Sequence, residues 1–327
     1  VRAVVILAIV LVLVIGAVVF ARGRNARPLP LAPAGERQRA LAAELRRDVE
    51  RLCARAPRNT FVPANLHAAA DDIVRELEAA GYRVTRQTFA MSDGATRVDN
   101  IEAELRGATR PEEIVVIGAH YDAVDDAPGA DDNASGTAAM LALARRFAQA
   151  RPARTLRFVA FANEEPPHFQ TRDMGSWQYA RRCSERKEKI VAMVSLESVG
   201  YYDTRKGSQQ YPQPLAALYP DTGDFIGLVG NVKSAALVNR CKRAYRKQAA
   251  VPLQTAVLPE AVPGAGWSDQ WAFWQFGYPA VMVTDTALFR NPHYHTRSDT
   301  PDTLDYDRMS RVVEALEDVV RELGGVS

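Results

Sequence analysis

The chain has 327 residues, of which 47% are hydrophobic and 24% charged. That length supports one large buried core or at most two domains. A net charge of +2, with both signs interspersed, excludes the strong positive field that draws nucleic acid. Three cysteines, Cys53, Cys183 and Cys241, are too few for a disulfide scaffold and match no zinc-finger spacing. One disulfide plus a free thiol, or three buried thiols, both remain open.

In chain order, the first segment from Ala3 to Phe20 is apolar apart from Gly16. A run of about 18–20 such residues is long enough to cross a bilayer as a helix. A cleaved signal would have an apolar region of about 7–15 residues and a small-x-small site after it. Here Val19, Phe20 and Ala21 lead into Arg22, a poor cleavage site, so residues 1–21 read as a transmembrane anchor. Residues 22–35, rich in Pro, Ala and Arg, read as a linker, and residues 36–327 as the folded domain. Arg22, Arg24 and Arg27 follow the span while only Arg2 precedes it, which by charge alone keeps the domain on the cytoplasmic side.

Residues 36–55 carry Leu41, Leu45, Val49 and Leu52 at helical spacing, and 65–80 carry Leu66, Ala69, Ile73 and Leu77 likewise, with Gly81 as a stop. Strands are predicted at 83–89, 98–105, 113–119, 154–162, 190–196, 253–258 and 279–284. Helices are predicted at 135–149, 175–182, 234–248, 268–275 and 305–323. Residues 200–231, rich in Tyr, Pro and Gly, read as a long loop. The alternation predicts an α/β domain, a three-layer α/β/α sandwich with a largely parallel mixed central sheet. Near-continuous apolar runs such as IVVIGA and IVAMVSL suit strands buried on both faces.

Four of these runs end in polar groups. IVVIGA meets His120-Tyr121-Asp122, LRFVAFA meets Asn163-Glu164-Glu165, IVAMVSL meets Glu197, and PAVMV precedes Asn291–His295. Ligands bind outside the carboxyl ends of strands in open α/β sheets, so these groups converge on one edge. Any one alone is an ordinary loop residue; five together imply a site. Imidazole and carboxylate suit zinc, and a two-metal site needs a carboxylate that touches both ions. Asp131, in the loop PGADDNASG, is the candidate bridge. Asp122 is placed to orient His120, and Asp299 to orient His295 or to cap its own turn. In the pair Glu164-Glu165, one carboxylate can bind metal while the other stays free as a base.

The run His120-x-Asp122, Gly129-Ala130-Asp131-Asp132-Asn133-x-Ser135-Gly136, Asn163-Glu164-Glu165, Glu197 and His295-Thr296-x-x-Asp299 resembles the M28 family of zinc peptidases, over roughly residues 60–325. The resemblance implies two zinc ions per chain. One would be held by His120 and Glu197, the other by Glu165 and His295, with Asp131 bridging and Glu164 as general base. It also implies a cis peptide between Asp131 and Asp132, and a peptide substrate with a free N-terminus. Two departures stand out: Glu197 where the best-known aminopeptidases have Asp, and Gln270 where a Ser-Asp-His segment is usual. The resemblance favours an extracytoplasmic domain held at the cell membrane, against the charge flanks. A single-zinc acyltransferase like glutaminyl cyclase and a non-catalytic receptor-like domain are the alternatives. Oligomeric state is not legible in the sequence.

Overall fold

The computed structural model describes residues 31–212 and 215–326. The expected anchor, residues 1–21, and most of the linker lie outside the described residues. Among the described residues no helix is long and apolar enough to cross a membrane.

Eight strands form one mixed sheet: β1 (Val84–Ala90), β2 (Arg97–Leu105), β3 (Arg110–His120), β4 (Arg154–Phe161), β5 (Lys189–Glu197), β6 (Ile226–Gly230), β7 (Leu253–Val257) and β8 (Ala280–Thr284). Their order is β1-β2-β4-β3-β5-β8-β6-β7. The central strands β4, β3, β5 and β8 run parallel, whereas β1 with β2, β2 with β4 and β6 with β8 are antiparallel. The sheet is thus mixed to a greater degree than predicted. Strand β6 falls inside the stretch read as loop. It has five residues, IGLVG, two of them glycine, too short and too weakly patterned to announce itself.

Alternate side chains of the central strands enter two cores. Val115, Ile117, Val194, Leu196, Val281 and Val283 pack in the first, beneath α1 (Glu36–Cys53), α2 (Pro63–Ala79), α3 (Gly136–Phe147), α5 (Ala235–Tyr245) and α7 (Tyr306–Gly324). Ile114, Val116, Val159, Phe161 and Met193 face the other way, under α4 (Gly175–Glu185) and α6 (Gln270–Gln275). Helices therefore cover both faces, which is why the central strands read as unbroken apolar runs. The three cysteines are free thiols, with Cys183 and Cys241 buried.

Candidate metal centre

Three parallel strands end at one edge of the sheet and deliver the first ligands. His120 is the last residue of β3 and Glu197 the last of β5, while Glu164 and Glu165 follow β4. The parallel register sets His120 beside Phe161 and Gly118 beside Ser195, so these ends lie side by side. His295 arrives from the loop after β8, in the left-handed region with φ 57°. The acids His120 must meet are buried with it: His120, Asp122, Asp132, Glu164, Glu165 and Glu197 are all buried.

The carboxylate that faces both histidines is that of Asp132 and not that of Asp131, the expected bridge. Asp132 Oδ1 lies 3.2 Å from His120 Nε2, and its Oδ2 lies 3.1 Å from His295 Nε2. Glu197 Oε2 is 3.3 Å from the same His120 nitrogen, and Glu165 Oε2 is 3.1 Å from the same His295 nitrogen. Two triads result, His120–Asp132–Glu197 and Asp132–Glu165–His295, sharing one carboxylate.

The Asp131 carboxylate turns the other way. Its Oδ1 accepts from Gly200 N at 2.9 Å and its Oδ2 from Asn291 Nδ2 at 2.8 Å. The reason for the one-residue difference lies in contacts from remote segments. Asp299 accepts from Asp131 N at 2.9 Å and from Asp132 N at 3.1 Å, fixing both peptide planes. Asn133 donates to Leu196 O and accepts from Ser198 N and Gly136 N, anchoring the turn to the end of β5. The cis peptide falls one residue later than expected as well, between Asp132 and Asn133. Gly129 starts this turn at φ 59°, where a Cβ would lie 2.4 Å from Asp132 O, so only glycine fits.

Asp122 behaves as expected. Its Oδ1 is 3.3 Å from His120 Nδ1, and its two oxygens accept from the Glu164 and Glu165 amides at 3.1 Å each. It thereby ties the ends of β3 and β4 together. Asp299 does not: its carboxylate is spent on the Asp131–Asp132 backbone. Ser198 and Ser268 donate to opposite oxygens of Glu197, at 3.0 and 2.7 Å. Sequence reading missed Ser268 and Asn291 in these roles, although both sit in segments it marked.

The electrostatics are those of a site short of positive charge. Burial disfavours the His120 imidazolium, but Glu197, Asp122 and Asp132 outweigh it and raise its pKa well above the ordinary value. For His295 the same balance, with Asp132 and Glu165 prevailing over burial, pushes it up to about 10. Burial, joined by Asp132 and only partly opposed by the histidines, raises Glu165 to about 8. Burial also holds the Glu164 carboxyl well above the carboxylate range, with Glu197 and Glu165 adding and His120 opposing. His120 Nε2, which faces Asp132 and Glu197, is buried without a hydrogen-bond partner, as are Asp132 Oδ1 and Glu165 Oε1. Orphaned imidazole and carboxylate atoms turned toward one another fit a divalent cation such as zinc.

Beside the triads a cleft opens, with Glu197 and Tyr294 among the residues that line it. Its walls are largely apolar, including Phe225, Val229, Leu258, Trp267, Met282 and Phe289. His168 hydrogen-bonds Thr60 and His293 hydrogen-bonds Ser298, at 2.9 and 2.8 Å.

The chain is 38% identical over 269 residues to the uncharacterized protein YfbL of Escherichia coli (strain K12), covering 80% of this chain and 81% of that one. It is 28% identical over 242 residues to a probable leucine aminopeptidase of Trichophyton verrucosum (strain HKI 0517), covering 70% of this chain and 58% of that one. The chain therefore spans little more than half the length of that fungal relative. Among solved structures, the aminopeptidase from Aneurinibacillus sp. strain AM-1 superposes with TM-score 0.64 at 18% identity, covering 86% and 93% of the two chains. The glutaminyl cyclase of Fimbriiglobus ruber superposes with TM-score 0.63 at 20% identity, covering 92% and 99%. At such identities these two show a shared fold. The sequence profile of peptidase family M28 matches residues 100–320, the stretch that supplies every residue of both triads, and the chain is a member of that family of hydrolases.

Proposed function

We propose that the chain is a dinuclear zinc aminopeptidase that removes apolar residues from the N-termini of peptides. One observation carries the reading: the two oxygens of Asp132 face two different histidines, each already joined by its own glutamate. That is the donor set for two ions sharing a bridge. The homology to proteins described as leucine aminopeptidases and the apolar cleft beside Glu197 support the choice of substrate.

His120, Asp132 and Glu197 would hold one zinc, and Asp132, Glu165 and His295 the other. When bound, the ions would supply Lewis acidity, polarising the scissile carbonyl and lowering the pKa of the attacking water. Glu164 is the chain's own acid–base group. Its carboxylate lies 3.9 Å from His120 Nε2, beside the triads but bound into neither. It takes a proton from the water as the new C–O bond forms, and returns it to the amine as the C–N bond breaks. Asp122 keeps the His120 ring oriented while this happens. The cleft, walled by Phe225 and Met282, receives the first side chain of the substrate and excludes water around it.

The apolar run Ala3–Phe20 supports a membrane tether, and membership of the M28 family, against the flanking charges, supports a domain outside the cytoplasm. Protease protection of intact spheroplasts tests that placement.

The test of the activity is a panel of aminoacyl-arylamides with elemental analysis of the purified chain. The reading requires about two zinc per chain, cleavage of leucyl and phenylalanyl substrates, and no cleavage when the amine is acetylated. One zinc per chain, with cyclisation of N-terminal glutamine, would replace it by the cyclase reading that the Fimbriiglobus fold likeness keeps in view.

A further inference from the structure

The stretch matched by the family profile begins at residue 100, yet the connection between α1 and α2 reaches the heart of the site. Arg58 in that connection is fully buried. Its guanidinium donates from Nε to Tyr121 O at 2.8 Å, from Nη2 to Gly129 O at 2.6 Å, and from Nη1 to Pro128 O. In return Ala123 N donates to Arg58 O at 3.0 Å. Asn59 next door donates to Ala123 O at 3.1 Å and to Asp125 O at 2.6 Å. Thr60 pairs with His168 at 2.9 Å, three residues beyond Glu165.

These contacts share one geometry. Tyr121 follows the ligand His120, and Gly129 begins the turn that presents Asp132. A planar fork with donors on three nitrogens is the side chain that can hold carbonyls from both segments at a fixed spacing. The closeness is severe enough that a Cβ on Gly129 would stand 2.8 Å from Arg58 Nη2. Two ligands must keep their separation for one ion to bind both, so the spacing of 121 from 129 is a property of the metal centre.

We propose that Arg58, assisted by Asn59, is a positioning residue that clamps the His120 strand end to the Asp132 turn and so sets the metal affinity of the centre. This rests on the metal-site reading above. A lysine keeps the charge but has one nitrogen, and cannot span both segments.

The test uses the full chain as wild type, Arg58→Lys, Arg58→Ala and Asn59→Ala. Zinc binding is titrated in chelator-buffered solution, and amide hydrogen exchange is followed over residues 121–135. Each Arg58 variant is expected to weaken zinc binding by about tenfold to a hundredfold, the size found for groups that orient ligands, and to speed exchange in that stretch. Added methylguanidinium is expected to restore part of the affinity of Arg58→Ala and none of that of Arg58→Lys. As a control for general destabilisation, Tyr82→Phe removes the bond from Tyr82 to Ala144 O at the far end of α3. It should lower Tm without moving the zinc curve. Wild-type zinc curves and exchange in Arg58→Lys and Asn59→Ala would overturn the proposal, including the case in which Arg58→Ala fails to fold. If the wild type itself binds no zinc, the metal reading fails separately, and unchanged exchange over 121–135 in the variants still decides against the clamp.

Discussion

Two adjacent aspartates with opposite duties define the site at the scale of single residues. Asp132 offers an oxygen to each histidine, while Asp131 receives Gly200 and Asn291. An amide at position 132 loses the charge that both triads share, so on the proposed reading Asp132→Asn is expected to weaken zinc binding by more than about a hundredfold. Asp131→Asn keeps an oxygen to accept from Gly200, and is expected to retain the wild-type zinc content with a lowered Tm. Elemental analysis after dialysis separates the two, and equal zinc loss in both variants would reassign the bridge. Glu164→Gln keeps size and removes the proton acceptor. Zinc content should be unchanged while kcat falls by about 10²–10⁴-fold, the usual contribution of a general acid–base group. A variant turning over at the wild-type rate would strip Glu164 of that role.

The elements are held in order by their ends. Opposite the metal edge, Glu113 on β3 accepts from Arg154 Nε at 2.6 Å and from Lys189 Nζ at 2.9 Å, joining the starts of β4 and β5. Hydrogen bonds from Lys189 and Arg154 hold the Glu113 carboxyl at about 2, below its ordinary 4.5. A carboxyl whose folded pKa is depressed contributes its full stability above the unfolded value and loses it as pH falls through the folded one. The difference in Tm between zinc-free wild type and Glu113→Gln should therefore be constant above about pH 4.5 and shrink toward pH 2. A difference that stays level across that window would show that the ion pairs are not the cause. Glu113 lies near the surface, so the effect is expected to be small and weakened by salt.

For the molecule as a whole, the fold gathers more negative charge than it balances. Asp122, Asp132, Glu164, Glu165, Glu197 and Asp269 are all buried around two imidazoles. Burial raises Asp269 to about 7, with Glu197 and Asp122 adding to the effect while His120 and Ser176 oppose it. A ligand that binds only the folded state stabilises it by about 2.7 kcal/mol at a hundredfold excess over Kd. For a domain of this size that corresponds to roughly 4–5 °C in Tm. Tm should accordingly climb with free zinc and fall with chelator, as thermal melts at several zinc activities would reveal. A Tm indifferent to zinc would remove the metal centre from the folding balance.

The local periodicity of the chain was enough to determine that helices and strands alternate, that the central strands are buried on both faces, and that His120, Glu165, Glu197 and His295 arrive at one edge. Those features depend on repeated spacing and on strand ends, which are properties of short segments. The short strand β6 escaped because two of its five residues are glycine. Which of Asp131 and Asp132 faces the two histidines was beyond any local pattern, because neighbouring side chains of the same chemistry differ only in direction. That direction is imposed by Asp299 and Asn291, some 160 residues away in the chain, and by Leu196 and Ser198 at the end of β5. The same holds for Arg58, an unremarkable loop arginine until folding buries it against Tyr121 and Gly129. Residue types and their order thus specified the chemistry, whereas the aim of each carboxylate was fixed by hydrogen bonds that exist only once distant segments have met.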